Sequence, residues 1–192
     1  IRSCGFGHAD IVLKSDGEEA IKYLVQDVAR MRTSAKTVIE NSPKGESSSN
    51  GVVERAIREV VSQVRTMKVA LEGHLDITIG PEDPCLPWMV ELAGTLLNVH
   101  LVRVDGRTSY EKVKGKRGTL LGIEFLEKIY YKKVAGNGPL AKLESRWGDG
   151  VFLGYEVSSH EVLVGTLLGV KKVRSVRRCP LEERWSPSNL SF

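Results

Sequence analysis

The chain has 192 residues and 21.2 kDa, 41% of them hydrophobic and 27% charged. This balance excludes a disordered, collagen-like or coiled-coil protein and is enough for one or two globular domains. No run approaches 18 uninterrupted apolar residues, so no membrane partner is expected. Three scattered cysteines (Cys4, Cys85, Cys179) do not make a disulfide framework and suit a reducing, intracellular compartment. The chain opens at Ile1 without a charged-then-apolar leader, so it is expected to carry no secretory signal and to be a piece of something longer. The net charge of +4 is unevenly spread: residues 1–104 hold 12 Lys/Arg against 14 Asp/Glu, and residues 105–192 hold 16 against 10. A basic second half points to a polyanionic partner; the alternative is lysines and arginines that solubilise a small sheet domain.

In chain order, Ile11-Val12-Leu13 is a short β-branched run ending in the polar Lys14-Ser15-Asp16-Gly17, and it predicts a buried strand. Glu18-Glu19 followed by Ile21, Leu24, Val25 and Val28 predicts an amphipathic helix to about Arg32, with carboxylates at its positive end. Thr37-Val38-Ile39 is a second strand candidate, and 41–50, with its Pro, Gly and serines, a loop. From Gly51 a long helix is expected to about Glu72, with Asn50 as N-cap. Its apolar stripe is Val53, Ile57, Val60, Val64, Met67 and Leu71. Pro81, Pro84 and Pro87 precede a further helix over about 88–102. Strand, helix, strand and packed helices argue for an α/β layer over residues 1–104.

After Gly106 the texture changes. A connector over 105–123 leads to β-rich runs at 128–134, 151–155, 162–166 and 170–176. Their short, glycine-punctuated spacing predicts a small basic all-β domain over 124–180, barrel-like, followed by a tail over 181–192. Trp147, Gly148 and Gly150 read as turn and core residues.

Two carboxylates have positions suited to chemistry. Asp16 follows a strand at its carboxyl end, where open α/β sheets place ligand-binding groups. Glu54 lies in the first turn or so of the long helix, with 37 residues between the two. Brought together, they would offer oxygen ligands to a hard divalent cation, and a pair of such ions would activate an attacking oxygen and stabilise a leaving one. At 100° per residue, Arg58, Arg65 and Lys68 fall within about 40° of Glu54 around the helix, so a basic stripe continues from the carboxylate. Lys171, Lys172, Arg174, Arg177 and Arg178 form a second basic tract able to follow a phosphate backbone. The plainer readings are solvated carboxylates, an i,i+4 Glu54–Arg58 pair and a charge-protected strand edge. Cys4 and His8 find no second ligand pair for zinc, and His74, His100 and His160 lack a nucleophile in a recognisable frame.

The wording of these motifs resembles one family. Lys14-Ser15-Asp16-Gly17-Glu18, then Ser42-Pro43, then Ser49-Asn50-Gly51-Val52-Val53-Glu54-Arg55 is similar to the catalytic core of retroviral and retrotransposon integrases. Thr108-Ser109-Tyr110-Glu111 before Gly115-Lys116, and Val151-Phe152-Leu153-Gly154-Tyr155, resemble the later "TPYE…G" and "FLGY" stretches of copia-like polyproteins. Together these cover about residues 8–180. The resemblance implies a partial ribonuclease H-like core missing its N-terminal strands, with the small β-domain after it. It implies Asp16 and Glu54 as the second and third carboxylates of a D,D,E triad that binds Mg²⁺ or Mn²⁺. It further implies DNA partners (element ends and target DNA), a homo-oligomeric intact enzyme acting in the nucleus, and DNA 3′-end cleavage with strand transfer. Asp10 is too close to Asp16 to serve as the first carboxylate, so the 192 residues alone are expected to be inactive. Two other readings stay open: a non-catalytic nucleic-acid-binding remnant, and a ribonuclease H-like nuclease without joining activity.

Overall fold

The computed structural model describes residues 1–2, 5–15, 18–41, 51–133, 145–156 and 159–190. The chain forms two compact units, Ile1–Glu59 and Val60–Phe192, with the division inside one long helix.

The first unit is a strand–helix–strand crossover. β1 (Ile11–Ser15) and β2 (Thr37–Asn41) pair in parallel, with Ile11 opposite Thr37 and Ser15 opposite Asn41. Parallel neighbours need a crossover, and α1 (Glu19–Met31) supplies it. It packs on both strands through a stripe that includes half-buried Ile21, Val25 and Val28, although no residue of α1 is fully buried. Polar contacts tie the turns. Arg32 donates from Nε to Thr37 Oγ1 (3.0 Å) and from Nη1 and Nη2 to the carbonyls of Phe6 (3.1 Å) and Ala9 (2.7 Å). Asp10 accepts from the Lys36 backbone N–H at 2.8 Å, so this carboxylate braces the start of β2.

The second unit begins within α2 (Gly51–Leu75). The predicted stripe of this helix is only partly buried. Val53 and Ile57 are 55% and 57% exposed, Val60, Val64 and Met67 are half-buried, and Leu71 is enclosed. Burial therefore grows toward the carboxyl end, where Leu71 and Leu75 enter the core of the second unit. Glu72 fixes the turn that follows, accepting from Lys68 Nζ (2.6 Å) and from the Ile79 backbone N–H (2.8 Å). α3 (Leu86–His100), with proline in its first turn, buries Met89, Leu92, Ala93 and Val99. The expected connector contains a short helix, α4 (Ser109–Lys114). Its capping box has the Thr108 hydroxyl accepting from the Glu111 N–H, and the Glu111 carboxylate accepting from the Thr108 N–H.

Five antiparallel strands follow: β3 (Lys128–Lys132), β4 (Trp147–Tyr155), β5 (Val162–Thr166), β6 (Gly169–Val173) and β7 (Val176–Arg178). They are ordered β6-β5-β4-β3-β7. α3 packs against β4, and Phe152, Leu153, Val164, Ile129 and Leu126 complete the core with Leu71, Met89 and Leu92. Gly150 is required here: a Cβ would lie 2.4 Å from Val164 Cγ1 and 2.7 Å from the Gly165 carbonyl.

Two expectations are corrected. The sheet is not closed into a barrel, because β6 and β7 are its two edges and no ladder joins them. β7 is only three residues long and spends its pairing on β3. The single strand expected over 170–176 is in fact β6 and β7, which lie on opposite edges although only Arg174 and Ser175 separate them. Three Cα steps span at most about 11 Å, so the sheet curls until its two edges approach at this end. The strand expected to reach Val134 ends at Lys132, and Val134 lies outside the described residues. Asn50, expected as the N-cap of α2, also lies outside them. Among the described residues no helix is long and apolar enough to cross a membrane.

Candidate nucleic-acid interface

The gap between the curled edges is a groove of about 410 Å³ lined by Lys132, Lys133, Glu161, Lys172, Val173, Arg174 and Ser175. Four cations thus face one carboxylate. The local structure explains their convergence. Lys132 ends β3 and its N–H donates to the Ser175 carbonyl at 2.9 Å, which pins the β6–β7 connection against β3. Lys172 sits on β6 opposite Leu163, and Arg174 follows at the crossing between the edges.

The charges of the groove are organised by two pairs. Lys172 Nζ contacts the Glu156 carboxylate, which holds the lysine above its ordinary pKa. Arg174 Nε lies 2.9 Å from Glu161 Oε1, and this bond, with a second from the Ser159 hydroxyl, keeps Glu161 below the usual carboxylate range. Both carboxylates orient exposed cations. Among the described residues Lys132 and Lys133 have no such partner, so their ammonium groups are the ones most open to an incoming anion.

The other residues of the basic tract have separate duties. Lys171 Nζ donates to the Tyr131 hydroxyl at 3.0 Å and lies 5.3 Å from that ring's centroid. The Arg177 guanidinium lies 4.5 Å from the Trp147 ring centroid. Arg178 makes a two-pronged bond to fully buried Glu127. So the tract is not one cationic strip: Lys172 and Arg174 join the groove, and Lys171, Arg177 and Arg178 are bound to aromatic or acidic partners.

The residues expected around the long helix are placed as follows. Glu54 is exposed in the first turn of α2, with no hydrogen-bond or ion-pair partner among the described residues. Asp16 is next in sequence after the last residue of β1 and lies outside the described residues, as do Gly17, Ser42, Pro43, Ser49 and Asn50 of the quoted motifs. Arg58 and Arg65 are exposed on α2, whereas Lys68 pairs with Glu72. His74 lies face to face with Trp185, centroids 4.1 Å apart, and its Nε2 is 3.0 Å from Glu124. No group of three or more His, Cys, Asp or Glu residues able to hold a metal ion occurs among the described residues.

Sequence reading missed Lys132 and Lys133. Both lie in the run at 128–134, where the alternation Lys128, Tyr130, Lys132 carries the signal of a polar strand face. What the sequence does not display is that the β6–β7 connection lies against the end of β3, which brings them beside Lys172 and Arg174. No protein-family model matches the chain, and no curated protein matches it significantly.

Proposed function

We propose that the chain belongs to an integrase-like retroelement protein whose second unit binds DNA along the groove between β6 and β3. The observation that carries this reading is the convergence of Lys132, Lys133, Lys172 and Arg174 on one cleft. A phosphate backbone laid there displaces condensed counterions as each lysine or arginine replaces them. Element ends and target DNA are the partners this reading takes, with nuclear action and a homo-oligomeric intact enzyme.

The catalytic side of the proposal is DNA 3′-end cleavage and strand transfer, and it rests on the motif resemblance. The parallel β1–α1–β2 crossover, with Asp16 next after β1 in sequence and Glu54 opening α2, is compatible with a partial ribonuclease H-like core. In that role Glu54 and Asp16 would hold Mg²⁺ or Mn²⁺, whose chemistry is to activate the attacking oxygen and stabilise the leaving one. Glu54 suits ligation because it is exposed and has no competing partner among the described residues.

A second reading is favoured by one feature. The groove is built entirely from the second unit and needs neither carboxylate, as in a non-catalytic nucleic-acid-binding remnant. One experiment separates the readings. Binding of a labelled duplex is measured across salt for the chain, for the double variant Lys132→Ala/Lys133→Ala, and for Asp16→Asn/Glu54→Gln. Loss of the two lysines should weaken binding about tenfold or more near 0.1 M salt and flatten the log–log salt slope by about 2. An unchanged slope rejects the groove. Divalent-metal-dependent strand transfer, assayed with the missing carboxylate supplied by an upstream segment and abolished by either carboxylate substitution, supports the enzyme. DNA binding without such activity supports the remnant.

A further inference from the structure

We propose that the face of β7–β3–β4 beside the groove is a stacking platform for unpaired bases, so that the DNA taken is single-stranded or frayed rather than intact duplex. This rests on the reading of the groove as a DNA site and names the form of DNA that it accepts.

The register builds the platform. Tyr130 on β3 stands between Arg177 on β7 and Asp149 on β4. Two residues along the same face, Lys132 stands opposite Trp147, and in the other direction Lys128 stands opposite Val151. Arg177 therefore belongs to the row next to Trp147, and its guanidinium reaches across β3 to within 4.5 Å of the indole centroid. Tyr130 is fixed by donating its hydroxyl to Glu183 at 3.1 Å. Tyr130 and Trp147 are half-buried and Arg177 is exposed. Three planar groups thus share one accessible face, two of them already stacked.

That chemistry recognises a base better than a phosphate. In a duplex the base faces are covered by their neighbours, so an indole, a phenol and a guanidinium plane gain little from it. An unpaired base stacks on such surfaces whatever its sequence. Because Arg177 already lies over Trp147, less side-chain freedom is lost on binding.

The charges set the strand's direction across the face. Lys132 lines the groove and also sits on the platform, so it joins the two. Asp149, opposite Tyr130 and 3.7 Å from Lys128, and Glu183, which accepts from the Tyr130 hydroxyl, repel phosphates from the Tyr130 side of the face. The backbone is thereby kept to the groove, with bases turned over Trp147 and Arg177.

The test uses the whole chain with a fluorescein-labelled 12-mer of dT and a duplex of the same length, at matched salt. The expected result is tighter binding of dT by about tenfold, the contribution of one or two stacked bases. Trp147→Ala should remove that preference while leaving duplex affinity and salt slope unchanged, and Trp147→Phe should retain most of it. Arg177→Lys, at an exposed position where folding is not at issue, keeps the charge and should also lose the preference. Equal affinity for dT and duplex, preference for duplex, parallel loss of both in Trp147→Ala, or an unaffected preference in Arg177→Lys would overturn the platform and leave the groove standing. Failure to bind either oligonucleotide would overturn the DNA reading itself, and the platform with it.

Discussion

Glu127 and Arg178 form a fork-to-fork ion pair, with Nε–Oε1 and Nη2–Oε2 both 2.6 Å, in which the carboxylate is fully buried and the arginine side chain is 38% exposed. Arg184 Nε stands 3.4 Å from the same carboxylate and donates to the Cys179 carbonyl at 2.8 Å. The Glu124 N–H reaches Glu127 Oε2 at 3.2 Å. This carboxylate therefore gathers β7 and the segment after it onto the start of β3. Leu126, just before it, has φ of 60° and donates its N–H to the Phe152 carbonyl, so the backbone accepts an uncommon conformation to aim Glu127 inward.

The first prediction concerns that pair. Glu127→Gln keeps the shape but leaves two guanidinium groups without a counter-charge. Removing one partner of a buried pair costs about 3–5 kcal/mol, and Arg178 can partly rehydrate, so the expected loss is near about 3 kcal/mol. Arg178→Met should cost a comparable amount, because the buried carboxylate keeps only the Arg184 guanidinium at 3.4 Å and the Glu124 N–H. Urea unfolding of both variants measures this; losses under about 1 kcal/mol would show that the pair does not anchor the segment. The DNA salt slope should not change with Arg178→Met, since this guanidinium is already committed.

Gly150 supplies the second. An added methyl meets Val164 Cγ1 at 2.4 Å and, more seriously, the Gly165 carbonyl oxygen at 2.7 Å, an atom of the neighbouring strand's backbone. The β4–β5 ladder must shift to admit it. Gly150→Ala is expected to destabilise the second unit by about 1–3 kcal/mol, as overpacking does. A thermal midpoint equal to that of the parent chain would contradict the close approach.

Legibility of this fold in the sequence followed the range of the forces involved. The Ile11–Leu13 run, the Ile21–Val28 stripe and the Thr37–Ile39 run announce β1, α1 and β2 because periodicity and β-branching are local, but the burial expected of Ile11–Leu13 is not met, since Val12 is 59% exposed. The splitting of 170–176 into two edge strands was not legible. Lys171, Lys172 and Arg174 have the same intrinsic preferences in either arrangement, and the break at Arg174–Ser175 is imposed by where β3 and β5 lie. The same holds for the site. A count of basic residues finds Lys171–Arg178, but only tertiary pairing reveals that Arg178 belongs to Glu127 and that Lys132 and Lys133 belong to the groove.

Tyr130 carries the third prediction, a pH dependence. Its phenol is pushed up to about 12, first because its hydroxyl donates to Glu183 and then through Cys179. The unfolded value is near about 10. A raised folded value means that the protonated phenol is favoured by folding, so its contribution is complete below about pH 10 and fades as pH rises through about 12. Phenolate absorbance should show a step near pH 12 that Tyr130→Phe lacks. If every step missing from the variant falls near pH 10, the hydrogen bond to Glu183 does not hold in solution.

The buried thiols give a fourth. Burial pushes Cys85 up to about 12, with Asp83 adding to it, and burial also raises Cys179. Both are 1% exposed. Thiolate is the reactive form, so both should resist a disulfide-exchange reagent at pH 8 and react fully only in denaturant. Alkylation followed by peptide mapping reads each site; prompt modification of native Cys85 would place it at the surface.

Lys68 tests how a residue proposed for DNA differs from one that holds a helix end. Its Nζ lies 2.6 Å from Glu72 Oε1, and this bond, ahead of the one from the Ile79 N–H, keeps Glu72 below its ordinary pKa. A lowered carboxylate pKa stabilises the fold above about pH 4.5 and the effect is lost as pH falls below that. Lys68→Met should therefore lower stability slightly at pH 7, read as a small drop in the urea midpoint. The loss should shrink as the pH falls and Glu72 takes up its proton. Arg65→Met, on an exposed arginine of the same helix, should leave stability nearly unchanged. If Lys68→Met instead flattens the DNA salt slope by about 1 with no pH-dependent loss of stability, then Lys68 serves the phosphate backbone and the Glu72 bond yields to it.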